Sequence, residues 1–198
     1  MTRALWDQLL HTAQMAHQNE PAIADFVAFP DDIEPIDCPP FHIPAADLMM
    51  SDHSLAELGL HDLGRAFLEA GPVAKWRKTY EGTNIGQDFM DRFACYCLIG
   101  EGGGFISRKM AGYVVYMPPN LHYPWHEHPA EELYFILAGE AEFSREGQPN
   151  ETLRAGDASF HASGQPHATT THDKPMLAYV TWRNHLDVAP IWTPGQGL

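Results

Sequence analysis

The stretch from Tyr123 to Gly139, YPWHEHPAEELYFILAG, decides how this chain is interpreted. His126 and His128 stand two residues apart, so on an extended strand their side chains point to the same side. Glu132 follows, and then Tyr134 inside an apolar run that ends at Gly139. Packing alone rarely needs histidines, glutamates and tyrosines so close together. The stretch therefore predicts a chemical site built into a strand.

A second block, GDASFHASGQPHA, begins at Gly156 and brings a third histidine, His167, after Gly164. Three imidazoles and one carboxylate suit one divalent first-row metal ion, whether zinc, iron, manganese, cobalt or nickel. The alternative is a set of scattered surface histidines, since the chain contains twelve. The glycines that close each block favour a built metal site over that alternative.

Composition limits the partners. The 198 residues are 44% apolar, which indicates a folded protein, and sixteen glycines and sixteen prolines indicate many turns. Twelve basic residues against 26 acidic ones give a formal charge of −14. This charge argues against nucleic acid and against an anionic membrane surface as partners. Cys38, Cys95 and Cys97 are odd in number and form no C-x-x-C pair, so buried free thiols are expected.

The pattern of apolar residues changes near residue 85, from helical spacing to short strand-like runs. Apolar spacing predicts a helix over roughly the first eighteen residues, a capped helix from Ser51 or Asp52 to Gly71-Pro72, and a short helical piece in AKWRKTY. From about Asp88, short apolar runs alternate with turn residues, which predicts a sandwich or barrel. We therefore expect an N-terminal helical segment over 1–85 and a β-barrel over 86–198. The expected strands are RFACYCLIG, MAGYVVYMP, ELYFILAGEAEFS, ETLRAGDASFHA, HATTTH and PMLAYVTW.

The two blocks resemble the paired motifs of the cupin superfamily. H126-x-H128-x3-E132-x6-G139 resembles the first motif, and G156-x7-G164-x2-H167 resembles the second, although Ala162 and Thr171 replace a common proline and asparagine. The resemblance covers roughly the last 110 residues. It implies a mainly β fold, a cupin double-stranded β-helix (jelly-roll) barrel. The implied ligands of one metal inside that barrel are His126, His128, Glu132 and His167.

Cupins catalyse many reactions, so the fold alone decides no function. The tyrosines are more specific, because the set Tyr123, His126, His128, Glu132, Tyr134 and His167 is similar to that of the cupin dimethylsulfoniopropionate (DMSP) lyases. The Q-type enzymes are the nearest in length and spacing, with the L-type next. The resemblance implies a carbon–sulfur lyase that converts DMSP to acrylate and dimethyl sulfide by tyrosine-initiated β-elimination.

The residues suit that chemistry. Elimination needs a base strong enough to remove a proton beside the carboxylate, and a phenolate qualifies because its unperturbed pKa is about 10. A metal cation that accepts the carboxylate would stabilise the developing charge and favour the phenolate. Tyr134 or Tyr123 is the expected base. The plain alternatives are a packed strand tyrosine for Tyr134 and a surface aromatic for Tyr123, which lies in the loop-like segment LHYPW.

The expected partner is a small sulfonium carboxylate, and a sulfonium cation favours aromatic walls. Trp182 is the preferred wall, with Trp125 next. The substrate carboxylate has three candidate cations, Arg108, Lys109 and Arg183. The remaining interpretations are Tyr113, Phe135, Phe160 and Tyr179 as further walls, His161 as a partner of the metal ligands or a structural histidine, Glu131 as a surface ion pair, and His122 as a residue without a role.

Three other functions fit the same motifs. An Fe(II)-dependent cupin dioxygenase of a small substrate would need oxygen in place of a basic tyrosine. A sugar isomerase is disfavoured because no basic phosphate-binding cluster is evident. A non-catalytic metal- or ligand-binding cupin would bind its ligand without consuming it. No signal peptide or long apolar run is evident, so a cytoplasmic monomer or homodimer is expected.

Overall fold

The computed structural model describes residues 2–78, 80–83 and 85–193, with helices mostly in the first half and strands in the second. Its α-helices are α1 (Thr2–Asn19), α2 (Pro21–Phe26), α3 (Pro44–Ser51), α4 (Asp62–Ala70) and α5 (Gln87–Arg92). Its strands are β1 (Glu34–Pro35), β2 (Ala94–Ile99), β3 (Phe105–Ile106), β4 (Ala111–Met117), β5 (Leu121–Glu127), β6 (Glu131–Arg145), β7 (Glu151–Arg154), β8 (Ala158–His161), β9 (His167–Thr171), β10 (Met176–Arg183) and β11 (Ile191–Trp192). None of these helices is both long and apolar enough to cross a membrane.

The strands form two facing layers that share β6. The first part of β6 pairs with β10 and β8, and its second part pairs with β9 and β7. One layer continues through β10 to β4 and β2, and the other continues through β9 to β5 and β11. Nearly all of this pairing is antiparallel, as jelly rolls require. The prediction of a mainly β cupin barrel is confirmed.

Gly139 lies where β6 passes from one layer to the other. Its φ is +74°, in the left-handed region that glycine occupies without strain. A Cβ atom at this position would lie 1.8 Å from the carbonyl oxygen of Pro175. The glycine that closes the first motif is therefore required by both its backbone conformation and its close neighbour.

Two apolar clusters lie on opposite faces of the first layer. The inner cluster fills the barrel and includes Tyr123, Tyr134 and Trp182. The outer cluster packs helices α1 and α4 on the sheet, with Leu9 and Phe67 fully buried. Each of these two side chains contributes about 1.5–3 kcal/mol of burial free energy. The helices thus brace the wall whose inner face carries the site. The proposed boundary between residues 85 and 86 stays a prediction.

The predicted helix over 51–72 is wrong as a single element. A short 3₁₀ turn spans His53–Glu57, and helix α4 starts only at Asp62. Gly59 separates them with a φ of +81°, which a continuing helix cannot accommodate. Asp52 does cap the first turn, since its side chain accepts a hydrogen bond from the Ser54 amide at 3.0 Å.

Two further local predictions are wrong for a shared reason, which is pairing with distant strands. AKWRKTY contains no helix in its described residues, because the Trp76 amide donates to Phe41 and the Arg77 amide donates to Cys95, both at 2.9 Å. LHYPW is not a loop, because it belongs to β5 and pairs with β9. A register shift between Tyr123 and His126 accommodates Pro124 there, as expected for proline in a sheet. The three cysteines are free and buried, as predicted.

Candidate metal centre and cavity

Three imidazoles meet inside the barrel. His126 comes from β5, His128 from the turn after it, and His167 from the start of β9, which pairs with β5 directly opposite His126. Each Nδ1 atom donates to a backbone carbonyl two residues away, at 2.8 Å for His126 and His167 and at 2.9 Å for His128. A carbonyl can only accept, so these bonds place the proton on Nδ1 and leave a lone pair on each Nε2.

These lone pairs share one small volume. One ring nitrogen from each of the three histidines lies within 4.8 Å of the other two. The Nε2 atoms of His128 and His167 are fully buried and form no hydrogen bond. Glu132 Oε2 lies nearby, 3.4 Å from Nε2 of His128 and 3.2 Å from Nε2 of His167. Buried nitrogen atoms without partners cost free energy, so the arrangement calls for a ligand that accepts several lone pairs.

A divalent transition metal ion fits this donor set. Nitrogen ligands whose other ring nitrogen donates to a carbonyl are the usual form of metal-binding histidine. The carboxylate beside them supplies negative charge. Burial is the largest single influence on the pKa of His128 and lowers it, but the Glu132 charge and the hydrogen bonds of the ring together raise that pKa above its ordinary value. Protons therefore compete with a metal for this nitrogen, and metal affinity should fall as the pH falls.

Glu132 is held by two donors of its own. The indole N–H of Trp182 donates to Oε1 at 2.6 Å, and Nδ1 of His161 donates to Oε2 at 2.7 Å. Nε2 of His161 in turn accepts from the Ser159 hydroxyl at 3.0 Å. Burial lowers the pKa of His161 to about 4, which keeps this imidazole neutral. The sequence allowed His161 to be either a partner of the metal ligands or a structural histidine. Its bond to Glu132 makes it part of the network that orients the carboxylate.

Replacing Trp182 by phenylalanine should weaken metal binding. The ring would still pack on His128, whose centroid lies 4.4 Å away, but Glu132 would lose one of its two donors. Loss of such an orienting hydrogen bond costs roughly 10–100-fold in metal affinity. Calorimetric titration with zinc or cobalt measures the change. Trp125→Phe is the control, and equal affinities in the two variants would contradict the assigned role of the indole N–H.

A cavity of about 60 Å³ adjoins this cluster at Glu132. Tyr123, Tyr134, Glu132 and Trp182 line it, together with Tyr113. The Tyr123 ring stacks on His126 with centroids 4.0 Å apart, and its hydroxyl shares a hydrogen bond with the hydroxyl of Tyr80. Burial raises the pKa of both Tyr123 and Tyr134 well above the ordinary value. Either phenol therefore needs nearby positive charge, or donated hydrogen bonds, to act as a base near neutral pH.

Several residues singled out from the sequence lie elsewhere. Trp125 is half-buried and is not among the residues that line the cavity. Phe135 and Tyr179 belong to the outer cluster, and Phe160 is exposed beside Phe26. The three candidate cations form ion pairs outside the cavity: Arg108 with Asp32, Lys109 with Asp31, and Arg183 with Glu131. His122 is exposed and bonded to Thr170, at 2.8 Å.

Sequence reasoning missed Tyr80 and Arg77, which both line the cavity. They come from the segment wrongly expected to be helical, which lies outside the residues that resemble a cupin barrel. Tyr80 also contacts Trp192 in β11, with ring centroids 4.7 Å apart. The available signal was the mixture of aromatic and basic residues in AKWRKTY, a segment that the sequence predicted to be a short helix.

Comparisons with known proteins agree in pointing to one family. The family profile described as dimethylsulfoniopropionate lyase matches residues 37–178. Dimethylsulfoniopropionate lyase DddQ of Ruegeria pomeroyi is 54% identical over 196 residues, which cover 99% of this chain and 98% of that protein. The crystal structure of DMSP lyase DddQ from the same organism superposes with a TM-score of 0.94 over 98% of this chain and 99% of that one. A structure from the DMSP lyases RdDddP and RnDddQII reaches 0.89 at 32% identity, over 98% of this chain and all of that one.

Proposed function

The chain belongs to the dimethylsulfoniopropionate lyase family, and we propose that it is a metal-dependent carbon–sulfur lyase. It cleaves DMSP to acrylate and dimethyl sulfide. The observation that supports the metal dependence is the meeting of one ring nitrogen from each of three buried histidines, next to Glu132, which also lines a cavity with several tyrosines. The substrate follows from the family to which the chain belongs.

The proposed ligands are His126, His128 and His167 with Glu132. All four side chains are buried, and their orientation is fixed by hydrogen bonds that the protein itself supplies. A bound metal ion supplies positive charge that stabilises the anion developing at the substrate carboxylate and favours a phenolate nearby. Zinc, iron, manganese, cobalt and nickel all suit this donor set.

Tyr123 is the proposed base. Its phenolate takes a proton from the carbon next to the carboxylate. The electron pair of that C–H bond forms the carbon–carbon double bond, and the pair of the C–S bond leaves on sulfur as neutral dimethyl sulfide. Two features support this choice over Tyr134. The Tyr123 ring stacks on His126, which is one of the proposed metal ligands. The Tyr80 hydroxyl can donate to the Tyr123 phenolate and stabilise it.

Tyr134 has a different proposed role. It stands two residues after Glu132 on β6, and its ring lies 5.5 Å from that of His161. This position sets its hydroxyl to orient the substrate or to approach the metal. Trp182 lines the same cavity, and it is proposed as the wall that the sulfonium group contacts, in addition to its bond to Glu132.

The direct test is headspace detection of dimethyl sulfide from the purified protein with DMSP. Release should stop after chelation and return on metal repletion, because the buried nitrogen atoms then regain their ligand. An anaerobic arm distinguishes the alternatives. Release that continues without oxygen supports the lyase, whereas DMSP that is bound but never consumed, with any metal, would identify a non-catalytic cupin. Oxygen uptake linked to substrate loss would identify a dioxygenase.

A further inference from the structure

The cavity opens to the surface through a neck. A cleft of about 300 Å³ lies outside it, and four residues line both the cavity and the cleft: Arg77, Tyr113, Trp182 and Pro190. A second cleft, of about 410 Å³, shares Arg77, Tyr80 and Phe93 with the cavity. Arg77 therefore lies between the cavity and both clefts, where a molecule that enters from either one comes close to its guanidinium. The first of these clefts, the outer cleft, is also lined by two exposed carboxylates, those of Glu101 and Asp187.

Arg77 differs from nearly every other basic residue of the chain. Ten of the twelve lysines and arginines have a carboxylate within 4.0 Å. Within the part of the chain that the structure describes, only Lys75 and Arg77 lack one, and Lys75 is exposed and does not line the cavity. Arg77 is partly buried, so its charge has lost water without gaining an acidic partner.

The protein holds this guanidinium firmly at the neck. The Arg77 amide donates to the carbonyl of Cys95 in β2 at 2.9 Å, and the preceding residue, Trp76, bridges to Tyr96. The guanidinium lies over the Tyr113 ring, 5.1 Å from its centroid. Tyr113 in turn contacts Trp182, with ring centroids 5.6 Å apart. A guanidinium has five N–H donors in one plane, so an arginine that contacts a tyrosine can still donate to a carboxylate with the rest of them.

We propose that Arg77 is an anion-binding site for small carboxylates at the neck of the cavity. It binds the carboxylate of the incoming substrate and, after the reaction, that of the acrylate product. The identity of these two anions rests on the proposed function, whereas the carboxylate site itself does not.

The charges around the cavity explain why a carboxylate substrate needs a cation at this position. The chain carries a formal charge of −14, so an anion gains little from the protein's overall field and needs a local cation. DMSP is a zwitterion. Arg77 attracts its carboxylate end, while Glu101 and Asp187 suit its sulfonium end in the outer cleft. The substrate therefore enters the cavity with its carboxylate first, and the carboxylate is the end that reaches the proposed metal site.

The test uses the metal-loaded full-length protein and the variants Arg77→Met and Arg77→Lys. Arg108→Met is the matched control, because that side chain is 94% exposed and pairs with Asp32. Propionate is the anionic probe and trimethylsulfonium the cationic one.

Arg77→Met should raise KM for DMSP and the inhibition constant of propionate by ~10-fold or more, since hydrogen bonds to charged groups contribute that much to binding. The same substitution should change kcat by less than about threefold, because Arg77 is not one of the proposed metal ligands and acts on substrate binding. Inhibition by trimethylsulfonium should not weaken.

Arg77→Lys keeps the charge and should retain most propionate binding, which separates loss of the charge from damage to the neck. Calorimetric binding of propionate separates this proposal from the proposed function. If the wild type never cleaves DMSP but binds propionate, and Arg77→Met does not, the function fails and the anion site stands. If DMSP is cleaved and Arg77→Met binds propionate as tightly as Arg108→Met, the anion site is overturned.

Discussion

Replacing His167 by alanine should remove the metal and abolish dimethyl sulfide release. His167 belongs to both groups of donor atoms that could hold an ion, one with His126 and His128, the other with Glu132 and His161. Its Nε2 atom is buried and forms no hydrogen bond. Without it, neither group keeps three donors, and the proposed set of four ligands falls to His126, His128 and Glu132. We expect metal affinity to fall by more than about 100-fold, beyond the loss typical of an orienting residue.

Activity should fall with metal occupancy, by at least about 10²–10³-fold, the size typical of losing a charge stabiliser. A second readout does not depend on turnover. A metal at 100 times its Kd stabilises a folded protein by about 2.7 kcal/mol. That gain should raise the Tm of the wild type by roughly 5–10 °C at this chain length. His167→Ala should show no such shift when metal is added.

His122→Ala is the control for this experiment. His122 lies on β5 like His126, but its side chain is exposed and bonded to Thr170. It should keep the wild-type metal content, Tm shift and activity. Full metal content in His167→Ala would contradict the proposed ligand set. Loss of metal in both variants would show that the strand pair, not the imidazole, had been damaged.

The barrel and its histidine cluster could be predicted because their signal is local. Residues two apart on a strand share a face, so the sequence alone aligned His126 with His128. Glycines with positive φ, such as Gly139, mark turns whatever surrounds them. His167 was grouped with them through the glycine-flanked second block, and the pairing of β5 with β9 is what brings it to His126.

The rest of the site depends on long-range pairing that no local pattern encodes. The segment that carries Arg77 has helical composition, yet bonds to Phe41 and Cys95 hold it extended. The segment LHYPW, which contains Tyr123, is loop-like in sequence, but a register shift lets the strand continue through it. The aromatic walls divided between two faces for the same reason: alternation on β6 sends Tyr134 inward and Phe135 outward.

Replacing Tyr123 by phenylalanine should lower kcat by about 10²–10⁴-fold while metal stays bound, the range typical of losing a general base. The ring would still stack on His126, and the proposed ligands would be untouched. Tyr116→Phe is the control, because this buried tyrosine donates to Asp52 at 2.8 Å on the other side of the wall. Initial rates, with metal content measured on the same samples, test the expectation.

Tyr80→Phe tests the same base through its hydrogen bond. A base acts when its proton is off, so activity rises with pH through the pKa of Tyr123. Burial already holds that pKa above the ordinary value. Once Tyr123 has lost its proton, the only hydrogen atom of this bond is that of the Tyr80 hydroxyl, so replacing Tyr80 removes a donor to the phenolate and should raise the pKa of Tyr123 further. The rising limb of kcat/KM should therefore move to higher pH, with activity lost near neutral pH and regained in alkali.

Tyr134→Phe separates the two tyrosines. If Tyr134 orients the substrate or approaches the metal, its loss should raise KM or weaken metal binding more than it lowers kcat, and the pH profile should keep its position. If Tyr134→Phe instead abolishes kcat with metal bound, while Tyr123→Phe stays active, the base is Tyr134. That outcome would leave the bond between Tyr80 and Tyr123 a structural one, because a phenol that never loses its proton needs no donor to stabilise the charge.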